Sequence, residues 1–134
     1  MNIAIIGSDI YAHQKRIKDF IYKCSIEFKD DLTINCTGGN GVGNKLIKKY
    51  ALEFGAKYKE YNQAHTQQTI YSVEPESYYN RKFHPSHEYD TFKKILWNSN
   101  FVFIFLDEND IDNKKWKRLE KASKKFNKTL KFII

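Results

Sequence analysis

The chain has 134 residues, which is enough for one domain with a single sizeable core. It is 41% apolar and carries a formal net charge of +7, a composition typical of globular proteins. No apolar stretch approaches the length of a membrane span, and the apolar run at residues 3–6 is too short for a signal peptide. We therefore expect a cytoplasmic protein that does not interact with membranes.

The positive charge is concentrated near the C-terminal end of the chain. Residues 113–134 contain nine Lys or Arg and one acid, Glu120, whereas residues 1–112 contain 14 basic and 15 acidic residues. Such a segment is typical of a surface that binds nucleic acid or another polyanion. It is equally typical of a solvated helix face in a lysine-rich protein. The sequence leaves both interpretations open.

The first half of the chain alternates between strand-like and helix-like segments, which is typical of a parallel α/β sheet. Residues 2–7 form an apolar run and are predicted to be a buried strand. Asp9 is expected to cap the first helix, which ends near Phe28. Three further elements are predicted: a second strand at 32–36, a second helix at 46–54 stopped by Gly55, and a third, edge strand at 57–61.

The second half begins with a segment at 62–85 that has no convincing period, and a long loop is predicted there. Ser86 is expected to cap the third helix, and Asp110 or Asp112 to start the last one. The remaining two strands are predicted at 101–106, which is apolar throughout and therefore central, and at 130–134. We expect one Rossmann-like three-layer sandwich. Its five-stranded, mainly parallel sheet has the order 3-2-1-4-5 and is flanked by four helices.

The segment 37–45 is the most informative part of the chain, because it holds four of the six glycines. It joins a predicted strand to a predicted helix. A glycine-rich turn at such a junction aims backbone N–H groups and the helix dipole at a bound phosphate. A plain loop is the alternative. The residues predicted to bind a ligand here and after the first strand are Gly7, Ser8, Asp9, Gly38, Gly39, Asn40, Gly41, Val42, Gly43, Asn44 and Lys45.

Three segments are expected to meet at one edge of the sheet. In doubly wound sheets, ligands bind beyond the carboxyl ends of the strands, near the point where the strand order reverses. The segments that follow strands at this edge are 7–9, 37–45 and 107–109. Asp107 and Glu108 supply carboxylates there and are the candidates for catalysis. For residues 7–9, a tight turn with a helix cap is the alternative interpretation.

Two familiar phosphate-binding motifs do not fit the spacing of the glycines. A dinucleotide fingerprint needs G-x-G-x-x-G after the first strand of a βαβ unit, whereas this chain has Gly39-x-Gly41-x-Gly43 after the second strand. A P-loop ends in Gly-Lys-Ser/Thr, whereas this chain has Gly43-Asn44-Lys45. Neither NAD(P) binding nor ATP hydrolysis is indicated, and no cofactor is predicted.

The middle segment and its end add four cationic or titratable side chains, Arg81, Lys82, His84 and His87. Arg can hold phosphate bidentately, and His can act as an acid or base near neutral pH. Arg81, Lys82 and His84 are therefore predicted to bind the ligand, with solvated loop residues as the alternative. No third His or Cys accompanies the two histidines, and the two cysteines also lack metal spacing. No metal site is predicted, and the cysteines are expected to be reduced.

Several short motifs follow the pattern of one superfamily. They are the segments 5–8 and 37–46, the helix end at 51–55, and the strand at 101–106. In these the chain resembles the SLOG superfamily of Rossmann-like domains, which includes the LOG phosphoribohydrolases, the DNA-processing protein DprA and small YspA-like proteins. Residues 71–80 are similar to the middle segment of phage-encoded relatives. The resemblance implies a ligand pocket, a bacterial or phage-infected cell, and a homodimer.

The chain departs from the pattern of these relatives at two positions. YspA-like proteins usually carry Arg-Gly-Ala-Asp after the paired glycines, and this chain has Asn44 where the acid falls. LOG enzymes carry a second glycine-rich motif with a glutamate after the fourth strand, and residues 107–110 contain no glycine. The resemblance therefore favours a ligand pocket over phosphoribohydrolase chemistry.

Three functional hypotheses follow. The first is a binding protein or sensor for a nucleotide or nucleotide-derived ligand, such as a nucleoside monophosphate or an ADP-ribose-like molecule. The second is a nucleotide N-glycosidase or phosphoribohydrolase-like enzyme that uses Asp107 or Glu108. The third is a DprA-like nucleic-acid accessory protein that uses the basic C-terminal helix.

Overall fold

Five parallel strands and four helices alternate along the chain. The computed structural model describes residues 1–134, and its strands are β1 (Asn2–Gly7), β2 (Thr33–Cys36), β3 (Lys57–Glu60), β4 (Phe101–Phe105) and β5 (Thr129–Ile133). The helices are α1 (Gln14–Phe28), α2 (Val42–Glu53), α3 (Ser86–Trp97) and α4 (Lys114–Lys125). None of these helices is long and apolar enough to cross a membrane.

The strands form one sheet in the order β3-β2-β1-β4-β5, and every pairing is parallel. β1 lies in the middle, where Ala4 is opposite Asn35 of β2 on one side and Val102 of β4 on the other. The chain builds outward from β1 to β3 and then returns through α3 to β4. The predicted fold class and strand order are confirmed, and the strand order reverses between β1 and β4.

The helices cover both faces of the sheet, as the general preference for right-handed crossovers predicts for a sheet whose strand order reverses. α1 and α2 contact each other and cover one face, while α3 and α4 contact each other and cover the opposite face. β1 contributes to both cores in alternation: Ile3 and Ile5 belong to the first, Ala4 and Ile6 to the second. Each of these isoleucines is at most 2% exposed, and burial of such a side chain contributes about 1.5–3 kcal/mol. β1 is therefore the structural centre on which the loops at its carboxyl end are mounted.

The predicted starts of all four helices are wrong, and α2 begins at Val42, four residues before its predicted start. α1 begins at Gln14 rather than after Asp9, because residues 8–11 form a turn closed by the Tyr11 amide and the Ser8 carbonyl. Ser86 is the first residue of α3 and makes no capping hydrogen bond to it. α4 is capped by the side chain of Asn113, which accepts from the Lys115 amide at 3.0 Å, instead of starting at Asp110 or Asp112.

The predicted long loop is present between β3 and α3. It contains one 3₁₀ turn at Glu76–Tyr78, and Ser72 forms a single parallel bridge with Glu60 that extends the edge of the sheet. Glu60 is 2% exposed, and its carboxylate accepts hydrogen bonds from Tyr58 at 3.1 Å and from Thr69 at 2.5 Å. The first part of the loop is thus tied to β3 by buried polar contacts.

Candidate functional site

The loop after β1 and the glycine-rich segment pack directly against each other. The Val42 amide donates to the Asp9 carbonyl at 2.9 Å, and the Gly43 amide donates to the Ser8 carbonyl at 3.2 Å. The Gly7 amide donates to the side-chain oxygen of Asn44 at 2.8 Å. The predicted convergence of these two segments is confirmed. As a consequence, two amides in the first turn of α2 are already paired within the protein.

Gly7 and Gly43 are required by this packing, and Gly41 lies against a side chain. A Cβ atom on Gly7 would lie 2.6 Å from the carbonyl carbon of Gly43, and one on Gly43 would lie 2.5 Å from the Ser8 carbonyl oxygen. A Cβ on Gly41 would lie 2.2 Å from the carboxylate of Asp9. These glycines therefore allow the loop after β1 and the glycine-rich segment to approach each other closely.

Asn44 holds the glycine-rich segment in place. Its side chain is buried, and its amide group donates to the Gly38 carbonyl at 2.8 Å and to the Thr37 hydroxyl at 3.2 Å. Its oxygen accepts from Gly7 as described above. Asn44 thus uses both donor and acceptor to join the end of β1, the glycine turn and α2.

Three backbone amides of the same segment are free. The chain turns through Gly38 (φ +67°) and Gly39 (φ +92°), and the amides of Gly39, Asn40 and Gly41 have no acceptor within the protein. Gly39, Asn40 and the side chain of Lys45 are exposed, and Lys45 forms no ion pair. These three amides and one ammonium group are the part of the predicted phosphate loop that is open to an anion.

The loop after β4 joins the site through Asp110. Ser8 is fully buried and donates its hydroxyl to Asp110 Oδ2 at 2.7 Å, and Trp116 Nε1 donates to the same oxygen at 3.1 Å. Asn113 donates to Oδ1 at 3.1 Å. Burial raises the pKa of Asp110, but hydrogen bonds from Ser8, Asn113 and Trp116 and the charge of Lys115 outweigh it, so that its pKa is lowered. Asp110 is therefore an ionised carboxylate at neutral pH.

A cleft of about 480 Å³ opens between the loops that follow β1 and β4. Its volume falls within the range of small-molecule sites, about 300–1,000 Å³. It lies at the point where the strand order reverses, between the first turns of α3 and α4, which is where doubly wound sheets bind ligands. The lining residues are Asp9, Ile10, Glu88, Asp110, Asn113, Lys115 and Arg118. Ile10 is the one apolar residue among them, so the lining is suited to a polar ligand.

Both walls of the cleft carry charge, and one wall carries charges of both signs. Asp9 has an exposed carboxylate without a hydrogen-bond or ion-pair partner, and it touches both the cleft and Gly41 of the glycine turn. Lys115 and Arg118 of α4 supply positive charge on the other wall, where Arg118 lies 3.5 Å from Glu88. The cleft thus presents a free carboxylate on one side and, on the other side, two cations beside the carboxylates of Glu88 and Asp110.

Some of the predicted site residues lie elsewhere. Asp107 accepts a hydrogen bond from the Asn109 amide at 2.9 Å, Glu108 is exposed, and neither lines the cleft. Arg81, Lys82 and His84 are exposed in the loop before α3 and have no hydrogen bond or ion pair with the glycine turn. A role for these five residues stays a prediction.

The sequence-based prediction missed most of the cleft lining. The sequence places Lys115 and Arg118 in a basic segment and offers Asp110 only as a possible helix start, and it does not single out Asn113. One rule identifies these lining residues. In doubly wound sheets, the ligand crevice lies beyond the strands at the point where the strand order reverses, so the helix that follows such a strand begins beside the crevice. Applied to the strand at β4, this rule points to residues 110–118.

No family model, curated protein or solved structure matches the chain. The fold and the cleft define a Rossmann-like α/β domain with a polar site at the reversal point of its sheet.

Proposed function

We propose that the protein binds a nucleotide or nucleotide-derived ligand, such as a nucleoside monophosphate or an ADP-ribose-like molecule, as a binding protein or sensor. The observation that carries this proposal is the position of the three free amides of Gly39, Asn40 and Gly41 beside a polar cleft. Asp9 lies at the boundary between the two. An extended ligand with an anionic end and a hydroxyl-rich body fits this arrangement.

The anionic end is assigned to the glycine turn. Backbone N–H groups and a nearby Lys make charge-assisted hydrogen bonds with phosphate oxygens, and such bonds are about twice as strong as neutral ones. The carboxylate of Asp9 lies against Gly41 and repels a phosphate there. The phosphate is therefore placed over Gly39 and Asn40, within reach of Lys45.

The body of the ligand is assigned to the cleft. Asp9 is an acceptor without a partner, and a ribose hydroxyl is a donor of matching chemistry. On the opposite wall, Arg118 lies 3.5 Å from Glu88, whereas Lys115 forms no ion pair. A second phosphate is therefore assigned to Lys115, which favours a diphosphate such as ADP-ribose over a nucleoside. A cytoplasmic location in a bacterium or phage-infected host and a homodimer belong to the same proposal and rest on the resemblance alone.

An N-glycosidase is the second candidate. Such an enzyme needs a carboxylate close to the sugar to stabilise the oxocarbenium-like transition state. The carboxylate in the cleft that is free for this role is Asp9, since Asp110 already accepts three hydrogen bonds and Glu88 lies 3.5 Å from Arg118. Chromatography of protein incubated with AMP tests this candidate directly, because hydrolysis releases free adenine, and Asp9→Asn should abolish that release.

Thermal unfolding with AMP, ADP-ribose or inorganic phosphate tests the binding proposal. A ligand present at about 100 times its Kd stabilises the folded state by about 2.7 kcal/mol, which raises the Tm of a domain of this size by several degrees. We expect ADP-ribose to raise Tm the most. Lys45→Glu should remove most of that rise, because it places a negative charge beside the phosphate.

Lys49→Glu is the matched control, since it makes the same change in charge one turn further along α2. It should keep the response to ADP-ribose. An unchanged Tm with both nucleotides at millimolar concentration contradicts the proposal. An equal loss in the Lys45 and Lys49 variants contradicts the placement of the phosphate.

A further inference from the structure

α4 presents a row of cations on the side that faces away from the core. Seven of its twelve residues are Lys or Arg, whereas Trp116, Leu119, Ala122 and Ser123 are buried against the sheet. The exposed basic residues recur every three or four positions, which places them along one face of the helix. They are Lys114, Lys117, Arg118, Lys121, Lys124 and Lys125.

Most of this charge is not neutralised within the protein. Lys124 pairs with Glu120 and Arg118 with Glu88, each at 3.5 Å. Lys114, Lys117, Lys121 and Lys125 form no ion pair. Lys114 and Lys125 are eleven positions apart, so the row is about 16 Å long. It therefore matches an extended polyanion better than a small ion.

α3 adds exposed aromatic side chains to the same face of the molecule. Trp97 is its last residue and is 70% exposed, with its ring edge-on to Phe126 just beyond the end of α4. Tyr89 is 41% exposed, and the Lys93 ammonium lies 5.6 Å from the centre of its ring. Residues 89, 93 and 97 are four apart and so lie along one side of α3. An indole this exposed contributes little to the core and is open to a stacking partner.

We propose that the outer face of α3 and α4 binds single-stranded nucleic acid, with phosphates along the lysine row of α4 and a base stacked on Trp97. A basic track beside exposed aromatic rings is the combination that such proteins use without reading sequence. A duplex keeps its bases within its own stack and cannot use Trp97 in this way. A second copy of the chain would bring one lysine row against another, which is electrostatically unfavourable. This inference is independent of the ligand proposed for the cleft.

Fluorescence anisotropy of a labelled 15-nucleotide oligothymidylate tests the proposal. We expect binding at about 50 mM salt that weakens steeply as salt rises, because phosphate contacts release counterions. The triple variant Lys117→Glu, Lys121→Glu, Lys125→Glu should lose at least about tenfold in affinity, and it leaves Lys115 and Arg118 of the cleft unchanged. Trp97→Ala should weaken binding by about tenfold, the effect expected for one lost stacking contact.

The matched control is Lys18→Glu, Lys23→Glu, Lys49→Glu on the opposite helical face, where all three side chains are exposed. It makes the same change in net charge and should keep at least half of the affinity. Circular dichroism checks that each variant is folded. Tryptophan emission gives a second measurement, since the oligonucleotide should quench exposed Trp97 while Trp116 is buried.

Four results overturn the proposal. The first is no anisotropy change at about 50 mM salt, where such binding is tightest. The second is an equal loss in the two triple variants, which indicates a general effect of net charge. The third is equal affinity for a duplex that does not depend on Trp97, and the fourth is binding to phosphatidylserine vesicles but not to the oligonucleotide.

Discussion

The Ser8 hydroxyl donates a 2.7 Å hydrogen bond to Asp110, and this bond joins the two loops that flank the reversal point of the sheet. Ser8 follows β1, whereas Asp110 lies between β4 and α4. The same carboxylate oxygen accepts from the indole N–H of Trp116, a residue that is 2% exposed. Asp110 therefore holds one wall of the cleft in place through its hydrogen bonds with the loop after β1 and with α4.

Asp110→Ala is expected to destabilise the protein more than Ser8→Ala. Loss of the carboxylate leaves the donors of Ser8 and Trp116 buried without a partner, at about 1–3 kcal/mol each. Loss of the Ser8 hydroxyl leaves Asp110 with its bonds from Trp116 and Asn113, and should cost about 0.5–1.5 kcal/mol. Urea unfolding of both variants and of the double variant measures these terms. A greater loss in Ser8→Ala contradicts the assigned role of Asp110.

Asp110 also predicts a dependence of stability on pH. Burial raises its pKa, but the hydrogen bonds from Ser8, Asn113 and Trp116 dominate and hold the pKa below the ordinary value of 3.8. Ionised Asp110 therefore contributes its full stabilisation of the folded protein above the pKa that it has in the unfolded chain. This contribution is lost as the pH falls through the lower pKa that Asp110 has in the folded protein. The difference in unfolding free energy between wild type and Asp110→Asn should be constant down to about pH 5 and narrow below about pH 4. A constant difference down to about pH 2 argues against this linkage.

The sheet could be predicted from the sequence because two of its three inner strands, β1 and β4, are apolar on both faces. The runs at 2–7 and 101–106 have no polar alternation, which is what a parallel strand between two helical layers requires. Helix starts were not predictable in the same way. Asp9 is a good capping residue in isolation, but its carbonyl accepts from Val42 and its loop packs on the glycine turn. Tertiary contacts override the local preference.

The sequence predicts where in the fold the site lies, but it does not predict which residues contact one another there. The sequence shows that 37–45 is rich in glycine. It does not show whether a given glycine makes room for a ligand or for another part of the backbone. The structure separates them: Gly7 and Gly43 are needed for packing, whereas the amides beside Gly39 are free. The sequence does not single out Lys115 and Arg118 as cleft residues, because their charge resembles that of the other basic residues in the same segment.

Gly43→Ala should destabilise the protein more than Gly55→Ala. The new Cβ at 43 would lie 2.5 Å from a backbone oxygen of Ser8, and backbone atoms yield little. Overpacking of this kind costs about 1–3 kcal/mol and sometimes more. Gly55 has open space around its Cβ position but a φ of +77°, so its replacement should cost about 1 kcal/mol from strain alone. Thermal unfolding compares the two, and an equal or smaller loss at 43 shows that the two loops separate readily.

Asn44→Asp tests whether the protein needs a side chain at position 44 that both donates and accepts hydrogen bonds. A carboxylate could still accept from the Gly7 amide, but it cannot donate to the Gly38 carbonyl, which lies 2.8 Å from the present amide nitrogen. We expect a loss of about 1–3 kcal/mol, the cost of an unsatisfied buried group. The loss should be smaller at low pH, where a protonated Asp regains a donor. Wild-type stability in Asn44→Asp at neutral pH contradicts the role assigned to Asn44.

Both cysteines are expected to be unreactive in the folded protein. Burial raises the pKa of Cys24 and of Cys36 to about 11, so only about one thiol in a thousand is a thiolate at pH 8. Ellman's reagent should therefore label native protein slowly and label two thiols per chain at once in urea.

The two cysteines should also differ in how they become exposed. Cys24 lies on α1 and is 8% exposed, whereas Cys36 lies on β2 with no exposed surface and accepts from the Gly38 amide at 3.5 Å. Cys24 should react through local opening of α1, and Cys36 only through opening of the sheet and the glycine turn. In a Cys24→Ala background, the labelling rate of Cys36 should rise with Asn44→Asp, since that change loosens the turn above it. If Asn44→Asp leaves the labelling rate of Cys36 unchanged, the glycine turn opens independently of β2, the strand that carries Cys36.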